Sequence, residues 1–280
     1  MTKLPDLTLR QLETREEYEA CVRLQRDTWG EHFLDVVPAT ILMVAQRVGG
    51  VTAGAFDPDG RLLGFVFGIS GVRQGKPAHW SDMLAVRPEF RGLGLGKRLK
   101  RLQRELLLES GIKVAYWTYD PLVARNARLN LTGLGAVPVE YVVNMYGDTG
   151  SLLHSGLDTD RFVVKWRLDD PQVERALAGA SDELPPEAFG APVVNPNAIT
   201  GNAPHAQSPS LPTVTWVRVA IPPDIEQVKT TAPEDARLWQ LATRRAFQWY
   251  FANGYRVAGF RSKSELHHDC YLVTNQTRVG

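Results

Sequence analysis

The chain has 280 residues, of which 44% are hydrophobic and 22% charged, and its net charge is +1. This is the composition of a globular protein with one large or two modest domains, and the neutral balance gives no reason to expect a nucleic-acid partner. No apolar stretch approaches the ~20 residues of a membrane span, the start of the chain around Pro5 and Asp6 lacks the apolar core of a signal peptide, and Cys21 and Cys270 stand far apart, which fits a reduced, cytoplasmic setting with both thiols structural.

In chain order, residues 7–12 alternate apolar and polar side chains and predict a strand. Thr14 with Glu17 three residues on forms a capping box for a helix to about Trp29. Pro38 opens a second helix, closed by Gly49-Gly50. Strands at 51–56 and 61–70 flank Asp57-Pro58-Asp59-Gly60, a hairpin turn sequence. A fourth strand covers 78–86. After a turn at Pro88 come three alternating glycines, Gly92, Gly94 and Gly96. A long helix follows, with Leu95, Leu99, Leu102 and Leu106 at helical spacing. Then a strand at 113–119, a helix over 122–134 ending at Gly135, and strands at 137–146 and 161–168 complete the pattern. Residues 169–212 are rich in proline, with Gly, Asn and Ser, and predict a linker or a long ordered loop. A strand at 213–221, a helix from Pro233 to about Asn253, and strands at 256–260 and 270–273 form a C-terminal extension over 213–280.

A strand, a glycine loop and a helix in this order suit a phosphate group. The first N–H groups of a helix lack internal partners, the dipole is positive there, and glycine lets a ligand approach the backbone. The plain alternative is a turn with a helix cap. Gly96-Lys97 is followed by Arg98, so the hydroxyl a Walker A loop places on magnesium is missing. The spacing Gly-x-Gly-x-Gly also departs from the dinucleotide fingerprint. No metal is expected.

Arg91-Gly92-Leu93-Gly94-Leu95-Gly96 fits the acyl-CoA loop Gln/Arg-x-x-Gly-x-Gly/Ala at every fixed position. Its lead-in Leu84–Phe90 and the later stretch Asn126–Ala136 carry the same likeness. Over residues 7–168 the chain resembles the Gcn5-related N-acetyltransferase (GNAT) superfamily, which implies a first domain over 1–168. The resemblance implies an α/β (α+β) fold: a twisted mixed sheet with helices on both faces. It implies acetyl-CoA or another acyl-CoA as co-substrate and an N-acyltransferase activity. Its acceptor would be the amine of a small molecule. The wording around Trp117–Leu122 and Asp160-Arg161-Phe162 suggests an amino acid, with acetyl or succinyl transferred. Leu84, Ala85 and Val86 would pair with the pantetheine arm. Arg91, Gly92, Leu93, Gly94, Leu95 and Gly96 would cradle the pyrophosphate, and Lys97, Arg98 and Arg101 would grip phosphates; the alternative for these three is a solvated helix face. Asn126 would bond the CoA arm.

Acyl transfer to an amine needs a base for the ammonium and an acid for the leaving thiolate. Asp82 shares a strand face with Trp80, Leu84 and Val86 and is the first candidate base; an ordinary strand aspartate is the alternative. Glu140 is the second. Many relatives place a Tyr four residues before the glycine that ends the second helix. Here that position is Leu131, so the acid would be Tyr119, Tyr146 or water. Trp117, Tyr119, Trp166 and Trp216 also read as core aromatics. If Arg161 faces the acceptor, it suits a carboxylate; an ion pair with Asp160 is the other option. Tyr250–Tyr255 resembles the superfamily's helix end. The extension is therefore either a truncated second copy without an acyl-CoA loop or an unrelated αβ segment covering a sheet edge. A non-catalytic acyl-CoA sensor and a partner-binding scaffold are rival functions, and a homodimer is left open.

Overall fold

The computed structural model describes residues 5–151, 156–180, 184–196, 210–262 and 269–277. Strand β1 (Thr8–Gln11) leads to helices α1 (Arg15–Trp29) and α2 (Ala39–Arg47), then strands β2 (Val51–Phe56), β3 (Leu62–Arg73) and β4 (Lys76–Val86). A turn at Pro88–Phe90 leads to α3 (Leu95–Glu109) and β5 (Val114–Tyr119). Next come α4 (Ala124–Ala127), which widens into a π-helical turn at Arg128–Gly133, and β6 (Val137–Val142) and β7 (Arg161–Arg167). The rest comprises α5 (Pro171–Leu177), α6 (Pro186–Phe189), β8 (Trp216–Ile221), α7 (Ile225–Thr231), α8 (Pro233–Ala252), β9 (Arg256–Arg261) and β10 (Asp269–Thr274).

Seven strands form one mixed sheet, ordered β1-β2-β3-β4-β5-β7-β6, and three form a second, ordered β8-β10-β9. This is the α/β architecture the sequence predicts. β1 to β4 run antiparallel, and β5 joins β4 in parallel. Contacts divide the chain into two compact units, one of residues 1–117, 148–155 and 165–174, the other of 118–147, 156–164 and 175–280. The division cuts across the boundaries expected at 168 and 213.

The first unit gathers Tyr18, Cys21, Leu24, Leu42, Phe65 and Phe67 into its core. The capping box forms as predicted: the Thr14 hydroxyl accepts from Glu17 N–H, and the Glu17 carboxylate accepts from Thr14 N–H. In the second unit Phe162 meets Tyr141, Phe247 and Tyr271 at centroid distances of 5.6, 4.6 and 5.5 Å. The C-terminal extension and the strands β6 and β7 thus share one aromatic core.

Three expectations are corrected, and one helix is added. β6 stops at Val142 rather than Tyr146: Asn144 turns left-handed at φ 45°, and its N–H donates to Asp160 Oδ1 at 3.0 Å. The helix expected over 122–134 begins at Ala124 and becomes π-helical at Arg128. The segment 169–212 carries packed structure: α5 and α6 bury Ala176 and Ala188, and the Asn195 amide pairs with both backbone groups of Ala220 at 2.8 and 2.9 Å. Its residues 181–183 and 197–209 lie outside the described residues. Helix α7 has no forecast; Asp224 caps it through Gln227 N–H, a signal shadowed by the two prolines before it.

Candidate active site

The site in the first unit is built on β4 and α3. Along β4, His79, Ser81, Met83 and Ala85 are buried, while Trp80, Asp82, Leu84 and Val86 keep the more open side. Pairing with β3 steps from Phe67↔Met83 to Gly68↔Ser81, so Asp82 is the extra residue of a β-bulge. A bulge re-aims a side chain and bends its strand. The ladder to β5 contains only His79↔Ala115 and Trp80↔Tyr116. Beyond Trp80, β4 pairs only with β3 among the described residues, and its other edge carries no ladder. Asp82 is solvent-exposed at one side, yet crowded enough that lost hydration, and secondarily Asp35, raise its carboxyl above the usual 3.8.

The loop after β4 is open. Gly92 and Gly94 take φ of 77° and 80°, and a Cβ on either would meet nothing within 4 Å. Such φ values favour glycine. Gly94 begins α3 with no side-chain cap. The Arg91 guanidinium Nε donates to Val86 carbonyl at 3.0 Å and ties the loop to the strand end. Lys97 is half-buried, and burial first, then Arg101, lowers its pKa. Arg98 is exposed, and Arg101 makes a surface pair with Glu105 at 3.5 Å. An uncapped helix start behind an open glycine turn, with cations one turn on, fits the diphosphate of a CoA thioester. Leu84, Ala85 and Val86 offer strand edge to an extended amide chain.

The sequence reading missed the polar cluster behind this surface. Lys100 and Gln103 were outside the leucine periodicity, yet they lie on the buried face of α3 with Leu95, Leu99 and Leu107. Lys100 Nζ donates to Ser81 Oγ at 2.7 Å and Gln103 Oε1 at 3.1 Å and sits 3.8 Å over the Trp117 ring. Ser81 Oγ donates to Gln103 Oε1 at 2.9 Å. The Gln103 amide N–H therefore donates to His79 Nε2 at 3.0 Å, which puts the imidazole proton on Nδ1, donating to Ser70 Oγ at 3.0 Å; the Ser70 hydroxyl in turn donates to the Gly49 carbonyl at 2.6 Å. This directed chain links α3, β4, β3 and the end of α2. Burial lowers Lys100 to about 7 and, together with Lys100, lowers His79 to about 3. The available signal was one of spacing: His79 and Ser81 alternate with the open face of β4.

The second unit holds the other candidates. Tyr119 is buried with its hydroxyl facing that of Tyr271, and burial raises its pKa. Tyr146 is 40% exposed, in the turn after β6, and its hydroxyl lies 2.8 Å from Thr118 Oγ1. Glu140 is exposed on β6, and Asn126 is half-buried in α4. Arg161 does not pair with the Asp160 carboxylate: its Nη1 donates to the Asp160 carbonyl and stands 3.9 Å from Asp120, near the Tyr146 ring. Asp160 instead accepts from Arg244 twice at 2.8 Å, from Tyr141 at 2.6 Å and from Asn144 N–H. Trp117, Trp166 and Trp216 are buried, as expected of core aromatics. Both cysteines are buried, and burial raises both thiols, Cys270 to about 11. Among the described residues no cluster of His, Cys, Asp or Glu is arranged to hold a metal, and no helix is long and apolar enough to cross a membrane.

Residues 11–129 match the model of the acetyltransferase (GNAT) family, so the chain carries a GNAT acetyltransferase domain over that span. Acyl-CoA-dependent acetyl transfer is that family's general activity. Among solved structures the chain is similar to the NatC complex bound to Gag peptide and CoA (15% identity, 58% of this chain and 98% of that one, TM-score 0.47). It is also similar to an acetyltransferase of the GNAT family from Streptococcus pneumoniae (16%, 58% and 99%, 0.47) and to the ribosomal-protein-S18-alanine N-acetyltransferase from Escherichia coli (16%, 59% and 96%, 0.46). No curated protein matches the chain.

Proposed function

We propose that the chain transfers an acyl group, acetyl or succinyl, from acyl-CoA to the amine of a small molecule, with amino acids the first acceptors to test. The observation that carries this reading is the unladdered edge of β4 running into the open loop Arg91–Gly96. Acyl-CoA supplies an activated thioester carbonyl. The edge of Leu84, Ala85 and Val86 holds the pantetheine amides, the loop and α3 hold the diphosphate, and Lys97, Arg98 and Arg101 neutralise phosphate charge. A backbone N–H of the same edge polarises the carbonyl. Asp82, whose raised pKa brings it nearer to a useful base, takes the proton of the acceptor ammonium directly or through water. The amine attacks the carbonyl, the C–S bond breaks, and the thiolate leaves with a proton. Tyr146 suits the donor role better than Tyr119, because a hydroxyl with a strongly raised pKa gives up its proton poorly. Glu140 is the second candidate base, and Asn126 is proposed to bond the CoA arm.

The experiment is a thiol-release assay with acetyl-CoA and succinyl-CoA against a panel of amines, amino acids and peptide N-termini, alongside CoA titration. Release with at least one pair, abolished by Arg91→Glu through weaker CoA binding, supports the reading. CoA binding with silence across the panel favours an acyl-CoA sensor, the role that the aliphatic Leu131 leaves room for.

A further inference from the structure

We infer that the C-terminal extension is a second copy of the segment β5–β7, docked on the first about a local twofold within one chain. The topology repeats: strand, helix, strand, strand, with the last strand in the middle, β5-β7-β6 in one copy and β8-β10-β9 in the other. Landmarks repeat as well. α4 with its π turn ends at Gly135 and α8 ends at Gly254, with φ of 66° and 77°, and a six-residue strand starts two residues after each glycine. Asp160-Arg161-Phe162-Val163-Val164 corresponds to Asp269-Cys270-Tyr271-Leu272-Val273.

The contacts between the copies are reciprocal, as a twofold requires. β6 packs on β9, α8 packs on β6, and the π turn after α4 packs on β9. The two equivalent aspartates, both buried, each face an arginine from the other copy's helix: Arg244 holds Asp160 at 2.8 Å, and Arg128 stands 3.9 Å from Asp269. Tyr141 and Phe260, each six residues past its glycine, meet Phe162 and Tyr271 at 5.6 and 5.2 Å, and these last two meet each other across the axis at 5.5 Å. An unrelated cap on a sheet edge has no reason to match its host in strand order, glycine placement and paired charges. The occupant of the first copy's face is therefore this chain's own half-copy.

Hydrogen exchange on the full chain tests this. β6 and β9 should be protected equally at low and high protein concentration. Arg244→Asp and, separately, Arg128→Asp should each speed exchange in both strands on the order of tenfold, because each strand is packed by the other copy's helix. Arg128 is half-exposed, so its variant decides the matter alone if the Arg244 variant fails to fold. Protection of β6 that grows with protein concentration overturns the inference, since a second chain then occupies the face. So does a charge reversal that loosens one strand only, or neither.

Discussion

At position 82 a carboxylate sits on a bulge, beside an unladdered edge, with its proton affinity raised. If it is the base, Asp82→Asn should lower kcat by about 10²–10⁴-fold and leave CoA affinity unchanged. The acid limb of kcat/KM in the unaltered protein should lie above the usual 3.8 and vanish in the variant; a pH–rate series reads both. Lys100 makes a stability prediction. Its folded pKa is about 7 against an ordinary 10.5, so between these values the unfolded chain binds more protons. Stability should therefore rise with pH across that window by up to about 1.4 kcal/mol per unit. Lys100→Met should flatten the slope, as urea midpoints at pH 7 and pH 10 would show. His79, lowered to about 3 from 6.5, works in the same direction lower down: its contribution is intact above 6.5 and is lost as pH falls toward 3.

The elements show how much could be read in advance. The loop Arg91–Gly96 and the capping box at Thr14 were legible because each is local: a glycine's φ or a cap's reach lies within a few residues. Lys100 and Gln103 were not, because a polar side chain enters a core only when partners from distant strands satisfy it. Ser81 and His79 supply those partners, and only contact reveals them. The break at Arg128 also escaped notice, since the hydrophobic spacing of 122–134 suits an ordinary helix. Gly68 belongs to this group. A Cβ there would stand 2.2 Å from His79 Nε2 and 2.5 Å from the Trp80 carbonyl. Gly68→Ala should destabilise by about 1–3 kcal/mol, an overpacking cost, because the carbonyl lies in the backbone and cannot swing aside. Thermal melts of the purified variant would measure it.

For the whole molecule, the fold of the first half was readable and the place of the second was not. The superfamily motifs spoke for residues 7–168, of which 11–129 match the family model, whereas the extension's kinship rests on strand order and on aspartates 109 positions apart, which no short window contains. Asp160 makes the extension indispensable. It is buried, and Arg244 is its cationic partner. Arg244→Gln should cost about 1–3 kcal/mol, because it leaves the buried Asp160 carboxylate with fewer donors, and should free the turn carrying Tyr146. A rise in KM for the amine with the CoA constant unchanged would separate that turn from the loop in the first unit.

The half-used edge of β4 has a consequence for handling the protein. Backbone donors and acceptors on the edge of β4 away from β3, which no strand among the described residues engages past Trp80, are an invitation to any extended peptide, including a neighbour's. A bound pantetheine chain would serve as a molecular plug. Light scattering on warming should show slower clumping with CoA present than with an equal charge of free pyrophosphate, which reaches the loop but leaves the strand bare.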